Sequence, residues 1–508
     1  MSRDFLVRGC AAVSLYAFTS QFAFADVTAR DVWLEWKGYL ESVGYSISGT
    51  ETMSGGALTI SDLGISMRIP EDAGAMSIDL GQLTFAENGD GTVSVTMPES
   101  IPMRIDTVDG GDNVSMRFDL TQSDAALLVS GAPGDMTYDY GAGEVGVLLG
   151  EIAVNGQKLP PEVGRMTVTL GDVSSKTHLE TGDMRVTSQQ MTARKVVYDM
   201  GFRDPESSEN ATLSGALDQV EFTGTGSVPA QMNPDDFPSM LAAGFAVQGN
   251  YRYAAGQSAM KVDADGETFE YSGHSKGGEI TVAMDARHLA YGVRQTAPVM
   301  NVTASELPFP VTLQAAELGF SVDMPVAKSD EPQPFGLGLT VADFVMPEQL
   351  WSSFDPAGIL PRDPATVAID LTGKARILHD LMDPATAAML EQTGMPPGEL
   401  HALTINDLRL SAAGAAVTGK GDFTFDNSDL QSFGGVPRPE GTVKLQIIGA
   451  NGLIDRLIQM GLVSEDEAMG FRMMLGMLAV PGDGPDTLNS TIEVNEQGQV
   501  LANGQRIK

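Results

Sequence analysis

The sequence predicts a mainly β protein, a long antiparallel sheet in meander, half-tube or two-layer form, with one helix at the N-terminus and a helical pair near the C-terminus. Three observations predict it. Apolar and polar residues alternate over most of the chain, the period of half-buried strands. The joints between alternating runs, such as Glu87-Asn88-Gly89-Asp90-Gly91 and Asp109-Gly110-Gly111-Asp112-Asn113, carry the Gly, Asn and Asp that short hairpins need for positive φ. Helical spacing is confined to a few short segments.

Taken in order, Met1 to Ala25 open with Arg3 and Arg8, continue through an apolar run and end in Ala23-Phe24-Ala25. That pattern is expected to be a secretory signal cleaved after Ala25, because Ser14, Thr19, Ser20 and Gln21 interrupt the run before it reaches membrane-spanning length. Residues 26–508 then form the folded protein. They carry 29 basic and 66 acidic side chains, a net of −37, and no cysteine, since the chain's one cysteine is Cys10. Disulfides, thiol catalysis and Cys-bound metal are excluded there. The acidic balance, with no run of Lys and Arg, also makes nucleic acid an electrostatically poor partner.

Val32, Trp36, Tyr39, Leu40 and Val43 recur at helical spacing, with Gly44 as the stop. The period then changes to two: Leu63, Ile65, Met67, Ile69; Met76, Ile78, Leu80; Val93, Val95, Met97; Val114, Met116, Phe118, Leu120. It persists through Met166–Leu170, Val311–Leu313, Phe320–Met324, Leu403–Leu410 and Val417–Phe425. Short helices are expected at Pro234–Ala243 and Pro384–Gln392, and a helical pair at Asn451–Met460 and Glu465–Leu478, the second opened by a Ser464–Glu467 capping box. Strands at Thr491–Val494 and Gln499–Leu501 close the chain. Ala153-Val154-Asn155-Gly156-Gln157-Lys158-Leu159 is echoed by Leu501-Ala502-Asn503-Gly504-Gln505-Arg506-Ile507. The plain reading is two Asn-Gly hairpins; the wider one is two related halves dividing near residues 230–300.

Three segments imitate chemistry. Gly273-His274-Ser275-Lys276-Gly277 matches a nucleophile elbow, but Phe269 and Tyr271 before it and Ile280, Val282 and Met284 after it alternate as strand, turn, strand. Gly141 to Gly146 has dinucleotide-loop spacing, yet Met136, Tyr138 and Tyr140 alternate before it, which favours a glycine-rich turn. Gly414 to Gly421 resembles a phosphate loop with Gly421 where Ser or Thr should hold magnesium. The histidines His178, His274, His288, His379 and His401 lack ligand spacing. Catalytic, cofactor-binding and metal-binding residues are therefore all assigned as none. Methionine is a separate signal: Met469, Met473, Met474 and Met477 crowd the last helix, where thioethers fill an irregular core or line an adaptable apolar groove.

On Ala29-Arg30-Asp31-Val32-Trp33, the turn Gly89-Asp90-Gly91-Thr92-Val93, the segment Trp351 to Pro364 and the terminal Asn503-Gly504-Gln505-Arg506, the chain resembles a bacterial periplasmic family, domain of unknown function 2125, itself distantly similar to AsmA-like envelope proteins. The resemblance implies a long, curved antiparallel sheet with an apolar concave face suited to shielding lipid, and brings no catalytic residue. The AsmA-like proteins keep an N-terminal membrane anchor, which this chain is expected to lose. The resulting expectation is a non-enzymatic, cofactor-free periplasmic protein that binds a lipid or other apolar ligand, or serves as an envelope scaffold. The partners are lipid or an envelope protein, with no nucleic acid and no integral membrane span. Two rival classes are a serine hydrolase using Ser275 with His288 or His178 as base, and a purely structural module for a protein partner.

Overall fold

A computed structural model describes residues 26–69, 74–109, 111–205, 207–230 and 236–508. The expected signal segment, residues 1–25, and the expected helix start at Pro234 lie outside the described residues.

Strand follows strand in space as in sequence. All 29 strands among the described residues join one sheet, and every pairing is antiparallel. Ser46–Ser54 pairs with Ala57–Ile69, which pairs with Gly74–Glu87, and the ladder climbs rung by rung to Val500–Ala502 and Gln505–Arg506. Several rungs are two strands laid end to end, as in Ala246–Tyr253 with Ala255–Ala264, Glu267–Ser275 with Gly278–Met284, and His288–Thr296 with Val299–Ala304. This is the meander form of the expected fold class.

The breaks between these paired segments line up. Asp172 is the residue skipped where Gly171 and Val173 pair with Glu144 and Ala142, and with Lys195 and Ala193 on the other side. The same line passes Gln219, skipped between Asp218 and Val220, then Ala254, Gly277 and Ala297. Asp62, Asp124, Asp172, Gln219, Ala297 and Asp343 along it have φ between 46° and 52°, the left-handed region. At Asp172 and Gln219 the register is the same on both sides of the break, and Gly143 and Arg194 are out of the ladder too, so each strand there is interrupted by one residue without any bulge. Aspartate is among the few L-residues that enter that region readily. The result is a crease running across the sheet, and it shifts the alternation by one. Leu170 and Val173, Val196 and Ala193, and Leu217 and Val220 are three apart in sequence yet pack in one cluster on one face.

Helices sit at the ends and in the connections. α1 (Ala29–Ser42) starts at a Thr28–Asp31 capping box and lays Val32 and Trp33 on Leu58, Ile60, Leu83, Phe85, Val93 and Val129, the main buried core. Trp36 meets Phe85 edge-on at 5.4 Å, and Trp33 Nε1 donates to Glu51 at 2.9 Å. Arg185 anchors the far side of α1 by an ion pair with Glu35 and by stacking over Tyr39. α2 (Phe237–Ala242), α3 (Glu348–Phe354) and α4 (Pro384–Thr393) occupy connections. α5 (Ala450–Gln459) and α6 (Glu465–Leu478) form the helical pair, α6 with the expected Ser464–Glu467 box. Asp486 caps α5 from a distant loop, accepting from Gly452 N at 2.9 Å and from Asn451 N.

Both echoed segments are Asn-Gly turns with left-handed φ at both positions. In each the Asn side chain accepts the amide of a neighbouring strand, Asn113 N to Asn155 at 3.0 Å and Thr491 N to Asn503 at 2.9 Å. The two segments thus share one hairpin device.

Candidate functional site

Cross-strand pairing places side chains in columns perpendicular to the strands. One column runs Tyr140, Ser175, Met191, Phe222, Tyr251, Ile280, Val293, Phe320, Leu339, Ile369, Leu408, Gly419 and Leu445. At about 4.8 Å per strand it spans roughly 60 Å. A second column beside it runs Val282, Tyr291, Val322, Leu337, Leu371, Ile405, Gly421, Val443 and Ile492. Residues at the alternate positions next to these columns, such as Thr281, Arg294, Ser321 and Thr340, face the other way, so the sheet has one apolar and one polar face.

The apolar face is covered under α1, closes on itself around Val173, Ala193 and Val220, and is half-exposed at the column residues from Ile280 to Leu410. Under α1, Ile60, Phe85, Val93 and Val129 are fully buried. Beyond it, Ile280, Val282, Tyr291, Val293, Phe320, Leu337, Leu339 and Leu410 keep 37–41% of their surface exposed. Scattered exposed leucines are ordinary on a protein surface, but contiguous apolar columns of this length are not.

Where the two ends meet, hydroxyls interrupt the apolar surface. Tyr140 donates to Gln122 Oε1 at 3.0 Å, and Gln295 Nε2 donates to Tyr253 Oη at 3.4 Å. Burial pushes the phenols of Tyr138, Tyr140, Tyr198 and Tyr251 upward, keeping them neutral donors.

Ser275 lies at the crease on this face, 5% exposed, with its Oγ 3.1 Å from Tyr253 Oη. No imidazole is brought to it. His288 starts a rung whose Val299 pairs with His274, eleven residues along and therefore more than about 30 Å away. It pairs instead with Asp323 at 2.9 Å. His178 is in register with Ser188, Thr225, Gln248 and Ala283 on the polar face, four strands or about 19 Å removed before any offset along the strands. The flanking glycines have structural causes: Gly277 has φ +140° at the crease, and a Cβ on Gly273 would lie 2.3 Å from Tyr271 Oη. The hydrolase arrangement thus lacks its base.

The other imitations resolve likewise. Gly141 to Gly146 is strand interior within Asp135–Val154 rather than the expected turn, with Gly143 crossing the crease beside Asp124. Gly414 opens a hairpin, and Lys420 pairs with Lys444 on the polar face. Among the described residues no cluster of three or more His, Cys, Asp or Glu is placed to hold a metal ion. The polar face has open recesses; one of about 440 Å³ is lined by Lys176, His178, Gln190, Thr223, Thr225 and Gln248, above Gly224 and Gly249.

The segment Trp351 to Pro364 forms a buried ion-pair knot. Asp355, 1% exposed, accepts from Ile359 N at 2.9 Å, Leu360 N at 2.8 Å and Arg362 Nη1 at 2.6 Å, while Arg362 stacks over Trp351 at 4.5 Å. Burial alone raises its pKa, but those donors outweigh it and hold the carboxyl below the usual range.

The methionines of α6 depart from core filling. Met469, Met473, Met474 and Met477 are exposed, because α6 turns Ala468, Leu475 and Leu478 inward instead. No helix among the described residues is long and apolar enough to cross a membrane.

A family profile described as an uncharacterized protein conserved in bacteria (DUF2125) matches residues 238–506. No curated protein matches the chain. Among solved structures, the alcaligin outer membrane receptor FauA from Bordetella pertussis aligns at 9% identity over 90% of this chain and 74% of that one, with a TM-score of 0.17. That score is too low for any argument from shared fold.

Proposed function

The chain belongs to the DUF2125 family of uncharacterized bacterial proteins, and from its geometry we propose that it holds lipid acyl chains, without catalysis, on its uncovered apolar face. The observation that carries this reading is the pair of apolar columns, half-exposed from Ile280 to Leu410 among the described residues. Apolar surface left in water costs about 25 cal/mol per Å², so a hydrocarbon laid along the columns removes a large standing penalty. The columns run across the strands, which gives a chain a continuous track rather than a closed pocket. Fixed positive charge is absent from both columns, so recognition falls on the hydrocarbon, with the tyrosine hydroxyls near the crease as neutral partners for a head group. The signal-like residues 1–25 support action in the cell envelope after export.

The test is native mass spectrometry with lipid extraction on residues 26–508 purified without detergent. A reproducible co-purifying acyl species, lost in Leu339→Asp, is the expected result. A clean unliganded mass, with no lipid taken up on incubation with phospholipid, refutes the proposal and favours a scaffold.

A further inference from the structure

The outer face of α6 is an apolar surface that the fold does not use. Met469, Met473 and Met477 form one stripe at four-residue spacing and are 59–66% exposed, with Met474, 48% exposed, at its edge. The opposite face already does the packing. Ala468 is fully buried, the Leu478 carbonyl accepts from Ser490 Oγ at 2.5 Å, and a Ser464 box fixes the first turn. The helix is therefore seated with its thioethers outward. Unbranched, polarizable methionines suit an adaptable binding surface more than a solvent face.

Charge selects the occupant. The first turn presents Glu465, Asp466 and Glu467, and the single cation of the helix, Arg472, is already paired with Asp455 of α5. The helix carries no Trp, Tyr or Lys, the residues that seat an amphipathic helix at a lipid surface. We propose that the Met469–Met473–Met477 face of α6 docks an amphipathic helix of a protein partner, with an apolar stripe against the methionines and basic residues against the acidic first turn. This rests on α6 alone and stands or falls apart from the lipid reading.

The test is fluorescence anisotropy with a labelled synthetic amphipathic helix of Leu and Lys, its Leu and Glu counterpart as the charge control. The Leu/Lys peptide should bind the chain, more weakly as salt rises, and the double substitution Met473→Gln, Met477→Gln should weaken it at least tenfold while leaving the thermal midpoint unchanged. Absence of binding to the unsubstituted chain, equal binding of the Leu/Glu peptide, or an affinity untouched by the double substitution overturns the proposal. Co-sedimentation with phosphatidylcholine vesicles that the same substitution abolishes would overturn it in favour of a lipid surface.

Discussion

The two ends of the sheet use the same alternation and differ in what lies on it. Under α1, Ile60, Phe85 and Val129 are sealed from water by Val32, Trp33 and Trp36. Across the rungs from Gly278–Met284 onward, residues of the same type such as Ile280, Phe320 and Leu339 stay half-exposed. The covered end is thus a conventional core, and the open end has the pattern of a core left half-exposed. The family match, residues 238–506, contains the open part of the face and not α1.

The largest expected effect breaks this comparison directly. Phe85→Ala should destabilise by about 3–5 kcal/mol, the range for emptying a well-packed aromatic site. Phe320→Ala, on the open face, should cost less than about 1.5 kcal/mol, because its side chain is already partly in water. Urea denaturation of both variants measures the difference; equal losses would mean that the open face is covered in solution.

Asp355 sharpens the comparison within the open part. Its folded-state pKa is depressed, so it contributes stability above the unfolded value, and that contribution is lost as pH falls through the folded value. Thermal midpoints of the unsubstituted chain should fall in the acid range below the ordinary aspartate pKa. Asp355→Asn should lower the midpoint at neutral pH and flatten the acid-range slope. An unchanged slope would show that the knot with Arg362 does not form.

The smallest effect concerns the crease. Gln219→Gly relieves a left-handed φ of 51° and should be neutral or stabilising by up to about 1 kcal/mol. Gln219→Val should destabilise, since a β-branched residue resists that conformation. The same pair of midpoints reversed in order would mean that Gln219 does not hold the left-handed conformation.

Sequence carried the parts that local rules govern. The Ser464–Glu467 box placed α6 at Glu465–Leu478, and alternation with Gly-Asn-Asp joints gave most rungs. The crease is hidden because alternation is regular within each segment on either side of it. At Asp172 and Gln219 the period slips by one, and the spacing of three between Leu217 and Val220 looks like noise until pairing shows both on one face. α3 escaped because it is seven residues long and starts at Pro347 with no side-chain cap. For the α6 methionines, residue type cannot tell a filled core from a bare surface; only the tertiary neighbours can. The open face has the same limit, since a column forms only when the register of many strands is known.

The central claim, that the open apolar face holds hydrocarbon, is tested most directly by labelling adjacent residues that face opposite ways. Residues 26–508 contain no cysteine, so Leu339→Cys on the apolar face and Thr340→Cys on the polar face each accept a single environment-sensitive fluorophore. Doxyl-labelled stearate should quench the label at 339 saturably and leave the label at 340 unaffected. Equal quenching at both positions, or none at 339, would contradict the account.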